Sequence, residues 1–513
     1  MRRAIIWRRR TPSVAAASAL PTAASIALAL TVVSCTVGPD YHAASAPTPA
    51  RYKELKGWKL ATPAEGPGCG DWWKLYRDPR LDLLIKQVEI SNQTVAAQAA
   101  AYEEARAVIR EAQASLFPVL TANYSGTRTG TGPGAIGSNS AFGPGVAGGG
   151  SHALYATSFV PQLSATWDLD VWGKVRRQIE SNAAAAQASA ADLAYVKLSE
   201  QALLATAYFN LRYEDSLHDL LARTVVEYKK TLDIVQNQYN AGYSVTLGDV
   251  TTARAQVEIT QAQEINTDVL RAQYEHAMAM LIGRPPAELS IGRHPLAGTI
   301  PKIPVAIPST LLERRPDIAQ AERTMQQQNA LIGVAVAAYF PDISLSGLLE
   351  WTGTHPLPFN VANEIWSLGA AGSETLFEGG LRGAQIDAAR AAYWQSVANY
   401  RQTVLSAFQG IEDELAAIHF LTRQLAIQEK AVKDGRTAVD VYLNQFKAGT
   451  VAYTAVVTAQ ILLLSYEETE LIIRQDLFLA SVNLIENLGG GWNENLLPTQ
   501  KELVKGFSLL PQL

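Results

Sequence analysis

The sequence predicts a mainly α-helical chain with a β-barrel part, and three observations predict it. A long helical arm ending in a glycine turn occurs twice. The first copy runs from Gly173 to Gln238-Tyr239-Asn240-Ala241-Gly242, and the second from Gly380 to Gln445-Phe446-Lys447-Ala448-Gly449. Each arm is about 70 residues, which at about 1.5 Å per residue spans on the order of 100 Å, far beyond a compact domain. Two pairs of strand-like segments alternate with a period of two. The order of elements also repeats, with Leu116-Phe117-Pro118 recurring as Tyr339-Phe340-Pro341.

At 513 residues the chain has length for several domains, and its mean hydropathy is near zero, as in a folded protein. The formal charge is -5, but Arg2, Arg3, Arg8, Arg9 and Arg10 all fall in residues 1 to 34. Removing those five from 43 bases leaves 38 against 48 acids. Such a balance argues against nucleic acid as a partner, because phosphates need a basic surface.

The arginine-rich start, the apolar stretch from Ala23 to Val33 and the sequence Val32-Val33-Ser34-Cys35 read as an export signal over residues 1-34. This looks like the lipobox of bacterial lipoproteins, with Cys35 cleaved to the N-terminus and acylated. Val32 departs from the usual Leu, and Thr36 resembles the signal for sorting to the outer membrane. An ordinary signal peptide with a chance cysteine is the plainer reading. With Cys35 acylated, Cys69 has no partner, so no disulfide framework is expected. No later segment holds 18 continuous apolar residues, so any membrane crossing must use strands.

Residues 35-76 form a Pro-, Ala- and Gly-rich arm, expected to run extended over the surface and to end where Trp72, Trp73 and Tyr76 pack on a neighbour. A first structural repeat covers 77-284. It opens with one helix expected from Leu81 to Leu116, stopped at Phe117-Pro118. Then Leu120, Ala122 and Tyr124 alternate with Thr121, Asn123 and Ser125. After a Gly/Ser-rich loop, Tyr155, Thr157, Phe159, Leu163, Ala165 and Trp167 alternate with Ser158, Gln162, Ser164, Thr166 and Asp168. One apolar and one small-polar face fit a membrane barrel, and fit equally a soluble hairpin packed on a core.

A linker at 285-315 leads to a second repeat, 316-488, and a C-terminal equatorial segment, 489-513. The second repeat has a helix from Arg315-Pro316-Asp317 to Tyr339, strands from Ile343 to Trp351 and from Ile365 to Phe377, and the second arm. Aromatics mark the strand ends: Tyr155, Trp351 and Trp366 at the loop end, and Phe117, Trp167, Tyr339 and Phe377 at the helix end. About 11 residues at about 3.3 Å, tilted about 45°, give about 26 Å, the height of an outer-membrane apolar band. Four strands cannot close a hollow barrel, so several chains must share one.

Leu221, Val225, Tyr228, Leu232, Val235 and Tyr239 form a heptad seam in the first arm, and Leu425, Val432, Val439, Tyr442 and Phe446 follow the same repeat in the second. Returning helices run from Asp249 to Ile282 and from Ala455 to Leu488. The shorter helices before the strands could stack end to end with these returns and match the arms. Glycine at each turn suits a left-handed cap, and Asp249 at the start of a helix suits either a cap or a functional acid.

The lipobox, Gly38-Pro39-Asp40-Tyr41, Trp72-Trp73, Leu311-Leu312-Glu313-Arg314-Arg315-Pro316-Asp317-Ile318 and the duplicated arm, in this order, resemble the TolC-type outer-membrane efflux proteins, in the NodT-like lipoprotein branch serving resistance-nodulation-division pumps. The resemblance covers essentially the whole mature chain. It implies a homotrimer whose twelve-stranded barrel, four strands per chain, continues into a trimeric α-barrel in the periplasm. It implies passive export of small molecules, with a periplasmic adaptor (membrane fusion) protein and an inner-membrane pump as partners, outer-membrane lipid around the barrel, no enzyme activity, and no cofactor beyond the lipid on Cys35. The family's pore narrows at the helix turns. There Asp249 falls on the matching acid of the first turn, whereas the second turn has Ala455 and Thr458 where relatives often carry acids, Val451 at a basic link position and Phe446 for a tyrosine. The resemblance therefore implies a more apolar gate, closing by packing and dewetting. Adaptor contact is implied at the tips, at Gly242, Tyr243, Gly449 and Thr450.

Seven scattered histidines lack metal-ligand spacing, and there is no nucleophile elbow or phosphate loop. His218 and His276 are expected on helix surfaces. A protein-secretion duct and a periplasmic coiled-coil adaptor lipoprotein remain as alternatives. The adaptor would lack the aromatic-ended strands.

Overall fold

The structure is a computed structural model that describes residues 36–49, 51–54, 71–131, 154–298, 300, 301, 303 and 311–505. The signal segment, Cys35, Cys69 and the Gly/Ser-rich outer loop lie outside these residues. In order, the chain forms a 3-10 turn (Trp72–Tyr76), α1 (Pro79–Ser91), α2 (Gln93–Ala114), β1 (Val119–Thr131), β2 (Leu154–Asp168), α3 (Lys174–Asn240) and α4 (Leu247–Leu281). It continues with α5 (Pro316–Ala337), β3 (Asp342–Trp351), β4 (Glu364–Ser373), α6 (Leu381–Lys447), α7 (Tyr453–Asn487) and a short α8 (Gln500–Val504).

The arms α3 and α6 are each 67 residues, and their returns α4 and α7 are each 35. Gly173 and Gly380 precede the arms with φ of 81° and 88°, and Gly242 and Gly449 follow them with φ of 75° and 70°. These are left-handed positions that a Cβ disfavours. Both turns are Schellman caps: Gly242 donates to Tyr239 O and Tyr243 to Gln238 O, as Gly449 does to Phe446 O and Thr450 to Gln445 O.

The helix expected from Leu81 to Leu116 is two helices. Asn92, extended at φ -65°, ψ 127°, ends α1 and caps α2 through the Val95 N–H at 3.0 Å. An asparagine in an apolar helical pattern reads as a tolerated interior residue, and tertiary contacts make it a break. Its amide donates to Leu281 O at 2.7 Å and to Glu200 at 2.9 Å, so the start of α2 sits on the end of α4. The second repeat solves the same problem differently. Arg315, before α5, donates to Asn487 O at 2.8 Å and grips Asp317 at 2.7 and 3.0 Å. The end-to-end stacking of short helices on the returns is thus present in both halves.

Around the helical layer the order is α2, α3, α5, α6 at the strand end and α4, α3, α7, α6 at the turn end. The sheet repeats this order as β1-β2-β3-β4, all antiparallel. Each strand therefore runs into a helix beneath it. Register aligns the apolar sides: Leu120 pairs with Ala165 and Ala122 with Leu163, Leu163 pairs with Leu349, and Leu349 pairs with Trp366. β4 stops at Ser373, short of Phe377, which lies in an irregular, exposed stretch before α6.

The main core lies at mid-height. Tyr52, Trp72 and Trp73 are buried there with Leu204, Tyr208, Phe209, Val404 and Phe478. The N-terminal arm is therefore partly core, not a surface arm alone, because its aromatics fill the space outside α3 and α6. Phe209 stacks on Phe478 at 4.8 Å and lies 5.0 Å from Tyr76. The C-terminal segment does not stay at mid-height. It climbs past α3, where Gln187 donates to Pro498 O, to the end of α2, where Gln113 donates to Val504 O. Among the described residues no helix is long and apolar enough to cross a membrane.

Candidate functional site

Three places carry what the sequence singled out: the turn end, the N-terminal strap and the sheet. At the turn end the two hairpins of the chain pack together through Val235, Val250, Ala253, Phe446, Tyr453 and Val456. Phe446 is buried in this cluster, with its ring 5.7 Å from that of Tyr453. Val451 and Ala455 are half-buried, and Thr458 is exposed, its hydroxyl donating to Thr454 O. Gly242, Tyr243, Gly449 and Thr450 are exposed, and space is open where a Cβ on either glycine would sit.

Asp249 is half of a capping box. Its carboxylate accepts from Thr246 N at 2.8 Å and Thr246 Oγ1 at 2.8 Å, while its own N–H donates to Thr246 Oγ1 at 3.2 Å. The corresponding residues before and in α7 are Ala452 and Ala455, which make no side-chain cap. The acid absent from the second turn is thus also an absent cap. Asp249 also lies near Tyr453, whose hydroxyl burial pushes up to about 12, with the Asp249 charge adding to the shift.

Above the tip, polar groups tie the hairpins. Tyr228 OH donates to Gln460 O at 3.1 Å, and Gln460 Nε2 donates to Thr231 Oγ1 at 2.9 Å, all buried. Sequence reasoning placed Tyr228 in a seam but missed Gln460 and Thr231, which the heptad pattern hides among apolar positions. Of the seam residues, Tyr239 and Tyr442 are exposed.

Two carboxyl groups are held inside the arm. Glu214 of α3 is 4 % exposed, its Oε2 accepts no hydrogen bond from the described residues, and burial, then the Asp215 charge, pushes its carboxyl up to about 7. Asp215 itself is clamped by Arg271 at 2.8 Å and Arg212 at 3.0 Å. His218, expected on a surface, is half-buried 3.3 Å from Thr267, whereas His276 is exposed. Among the described residues no cluster of His, Cys, Asp and Glu could hold a metal.

At the junction of strand and helix, the chain just after Cys35 is strapped down. Val37 N donates to Trp172 O at 3.1 Å, and a Cβ on Gly173 would come 2.7 Å from Thr36 Cγ2. Gly38, at φ 101°, lies so close to Gly333 that a Cβ there would stand 2.4 Å from the Gly333 Cα. Arg177, its side chain 6 % exposed, holds Asp40 at 2.9 Å and Glu180 at 2.8 Å and donates to the Val37 and Gly38 carbonyls. The Gly38-Pro39-Asp40-Tyr41 motif is therefore a clasp on the tops of α3 and α5. Sequence alone offered no sign of its partners Arg177 and Gly333.

The sheet is the least buried part of the chain. Every strand residue from 119 to 130 and from 364 to 373 is exposed, so among the described residues β1 and β4 pack on no core. Among the described residues both are also edge strands with an unpaired side. An open sheet with bare edge strands, joined to helices of this length, fits an outer-membrane channel subunit.

The comparisons agree. The family model for the outer membrane efflux protein matches residues 84–284 and 307–490, one segment per repeat, and the chain belongs to this family. It is 27% identical to the cation efflux system protein CusC of Escherichia coli O6:H1 over 91% of this chain and 98% of CusC. It is also 27% identical to the antibiotic efflux pump outer membrane protein ArpC of Pseudomonas putida, over 90% and 93% of the two chains. Among solved structures, the outer-membrane channel OprN superposes with a TM-score of 0.80 at 28% identity, covering 89% of this chain and all of OprN. The chain is accordingly an outer-membrane efflux channel that extends into the periplasm.

Proposed function

We propose that three copies of this chain close one twelve-stranded barrel in the outer membrane and continue it as an α-barrel, through which small molecules delivered by an inner-membrane pump and a periplasmic adaptor leave passively. The observation that carries this reading is the four-stranded sheet with two free edges and no core of its own, because exposed edges and a bare apolar face are stable only when paired and covered. Cys35 carries the lipid. Its neighbour Thr36 is seated at the strand-to-helix junction, which is the periplasmic face of the membrane in this reading, so an acyl chain there reaches the bilayer without a linker.

The adaptor docks on the exposed tips around Gly242, Tyr243, Gly449 and Thr450. The pore narrows beside them at Asp249, Phe446, Val451, Ala455 and Thr458. With a single acid per chain and an apolar second turn, closure rests on packing of the two hairpins, not on charge. The chain has no catalytic role in this scheme, and the pump selects the substrate.

Gly242→Glu and Gly449→Glu test the reading directly. Each turn has room for a side chain but needs a left-handed backbone, so these variants distort the tips and leave the barrel alone. Export, read from drug accumulation in a deletion strain complemented with each variant, is expected to fail while trimers persist in the outer membrane. Unchanged export in both variants overturns the docking assignment. Separately, Cys35→Ser is expected to abolish incorporation of labelled palmitate.

A further inference from the structure

Of the described strand positions, those on the apolar face are the even ones in β1 and β4 and the odd ones in β2 and β3. Reading them off gives two charged residues only, Arg128 in β1 and Glu364 in β4. They are opposite in sign, lie on the two opposite edge strands, and both stand at the loop end. The Arg128 guanidinium sits 5.3 Å over the Tyr155 ring, and neither side chain makes an ion pair with another described residue. A lone charge facing lipid is costly, more so toward the middle of the bilayer than at its rim.

Pairing of β4 along its whole length would tightly limit the register that joins it to β1 of the next chain. β4 has 10 residues and β1 has 13. Full overlap of the antiparallel pair puts Glu364 opposite a residue between Arg128 and Thr131, and keeping the apolar faces on one side restricts this to Arg128 or Gly130. In the first register the two charges face each other directly. In the second they are diagonal neighbours on one face, about 7–8 Å apart at the backbone and within reach of two long side chains.

We propose that Arg128 of one chain and Glu364 of the next form an ion pair across each seam of the barrel, and that this pair sets the seam register. The proposal rests on the shared-barrel reading above. An off-register slip by one residue would turn Glu364 to the opposite face from Arg128 and expose the apolar side chains of β4 to the lumen. Slips by larger even steps would separate the charges and leave each unpaired toward lipid.

A charge-swap cycle in the full lipoprotein, extracted from outer membranes, tests this. Arg128→Glu and Glu364→Arg are each expected to lower the temperature at which the trimer dissociates in detergent, and the double variant is expected to recover it. In a Cys69→Ser background, Glu364→Cys combined with either Arg128→Cys or Gly130→Cys is expected to give inter-chain disulfides from one of the two pairs, whereas Leu120→Cys with Glu364→Cys gives none, since Cα atoms more than about 7 Å apart cannot be bridged. Trimers that form normally but show additive single effects and no cross-link from either pair overturn the seam pair and leave the shared barrel standing. A wild-type chain that stays monomeric in the membrane overturns both.

Discussion

The two arms are twins in length, caps and turns, yet they occupy different places. α3 lies in the middle of the helical layer, in contact with α2, α4, α5 and α7, and is buried along much of its length. α6 lies at an edge, packed on α5 and α7, with Trp394, Leu405, Phe420, Ile427 and Val441 exposed. The same element thus serves once as an internal rod and once as a border. The border's bare apolar side chains lie on the same side of the layer as the free edge of β4, where a second chain would complete both. The difference also runs through the joints, with Asn92 serving the first half and Arg315 the second, and through the tips, capped in one and uncapped in the other.

Removing the joints separates the halves most strongly. Arg315→Ala leaves Asp317 unpaired beside the orphaned Asn487 carbonyl and is expected to cost about 3 kcal/mol. Asn92→Ala, the counterpart in the first half, is expected to cost only about 1–2 kcal/mol, as a lost cap with its hydrogen bonds. Denaturant unfolding of the purified protein measures both, and equal losses would show that the two joints share load. Glu214 of the central arm supplies the sharper pH dependence, because burial also raises the carboxyl of Glu414 in α6 but a 3.1 Å hydrogen bond from Asn483 opposes it there. Its folded pKa is raised above that of an unfolded glutamate, so the native state binds more protons and stability falls as pH rises through about 7. Glu214→Gln is therefore expected to stabilise the protein at pH 8 by up to about 3 kcal/mol and to have no effect near pH 4, where both side chains are neutral. Melting curves at the two pH values decide this.

The smallest effect lies at the tips. Thr246→Ala is expected to cost about 1 kcal/mol, and Ala452→Thr with Ala455→Glu should add about as much to the second turn. Hydrogen exchange of the turn amides reads both. Asp249→Ala removes the cap and the charge together. A change in cation selectivity with Asp249→Ala but not with Thr246→Ala, measured in planar bilayers, assigns the carboxylate a role in the pore beyond capping.

Much of this architecture was legible because it is periodic. Gly173, Gly242, Gly380 and Gly449 bound the arms to within a residue or two, strand-like pattern located all four strands, and alternation in the first pair put Leu120, Ala122, Leu163 and Ala165 on one face. What escaped was set by contacts distant in sequence. The break at Asn92 is fixed by Leu281, 189 residues away, and the arm over residues 36 to 54 is fixed by Arg177, Gly333 and Glu412. The end of β4 shows a different limit. Leu376 and Phe377 continue a strand-like composition, but the sheet ends at Ser373 because β3, which supplies its partner bonds, begins at Asp342. At the tips, the identity of each residue was readable, and its burial was not. Phe446 faces the other hairpin because the two turns lean together.

The stacked helices carry a mechanical consequence. In each half a continuous 67-residue rod stands beside a column spliced from two shorter pieces, and the two splices lie at corresponding points of the repeat. At both, a left-handed glycine presses against backbone: a Cβ on Gly283 would lie 2.0 Å from Ser91 O, and one on Gly489 1.9 Å from Arg314 O. A laminated beam with its joints at one level bends there and stays stiff elsewhere. The lower part of each column can therefore swing about a single latitude while the strands above it hold still.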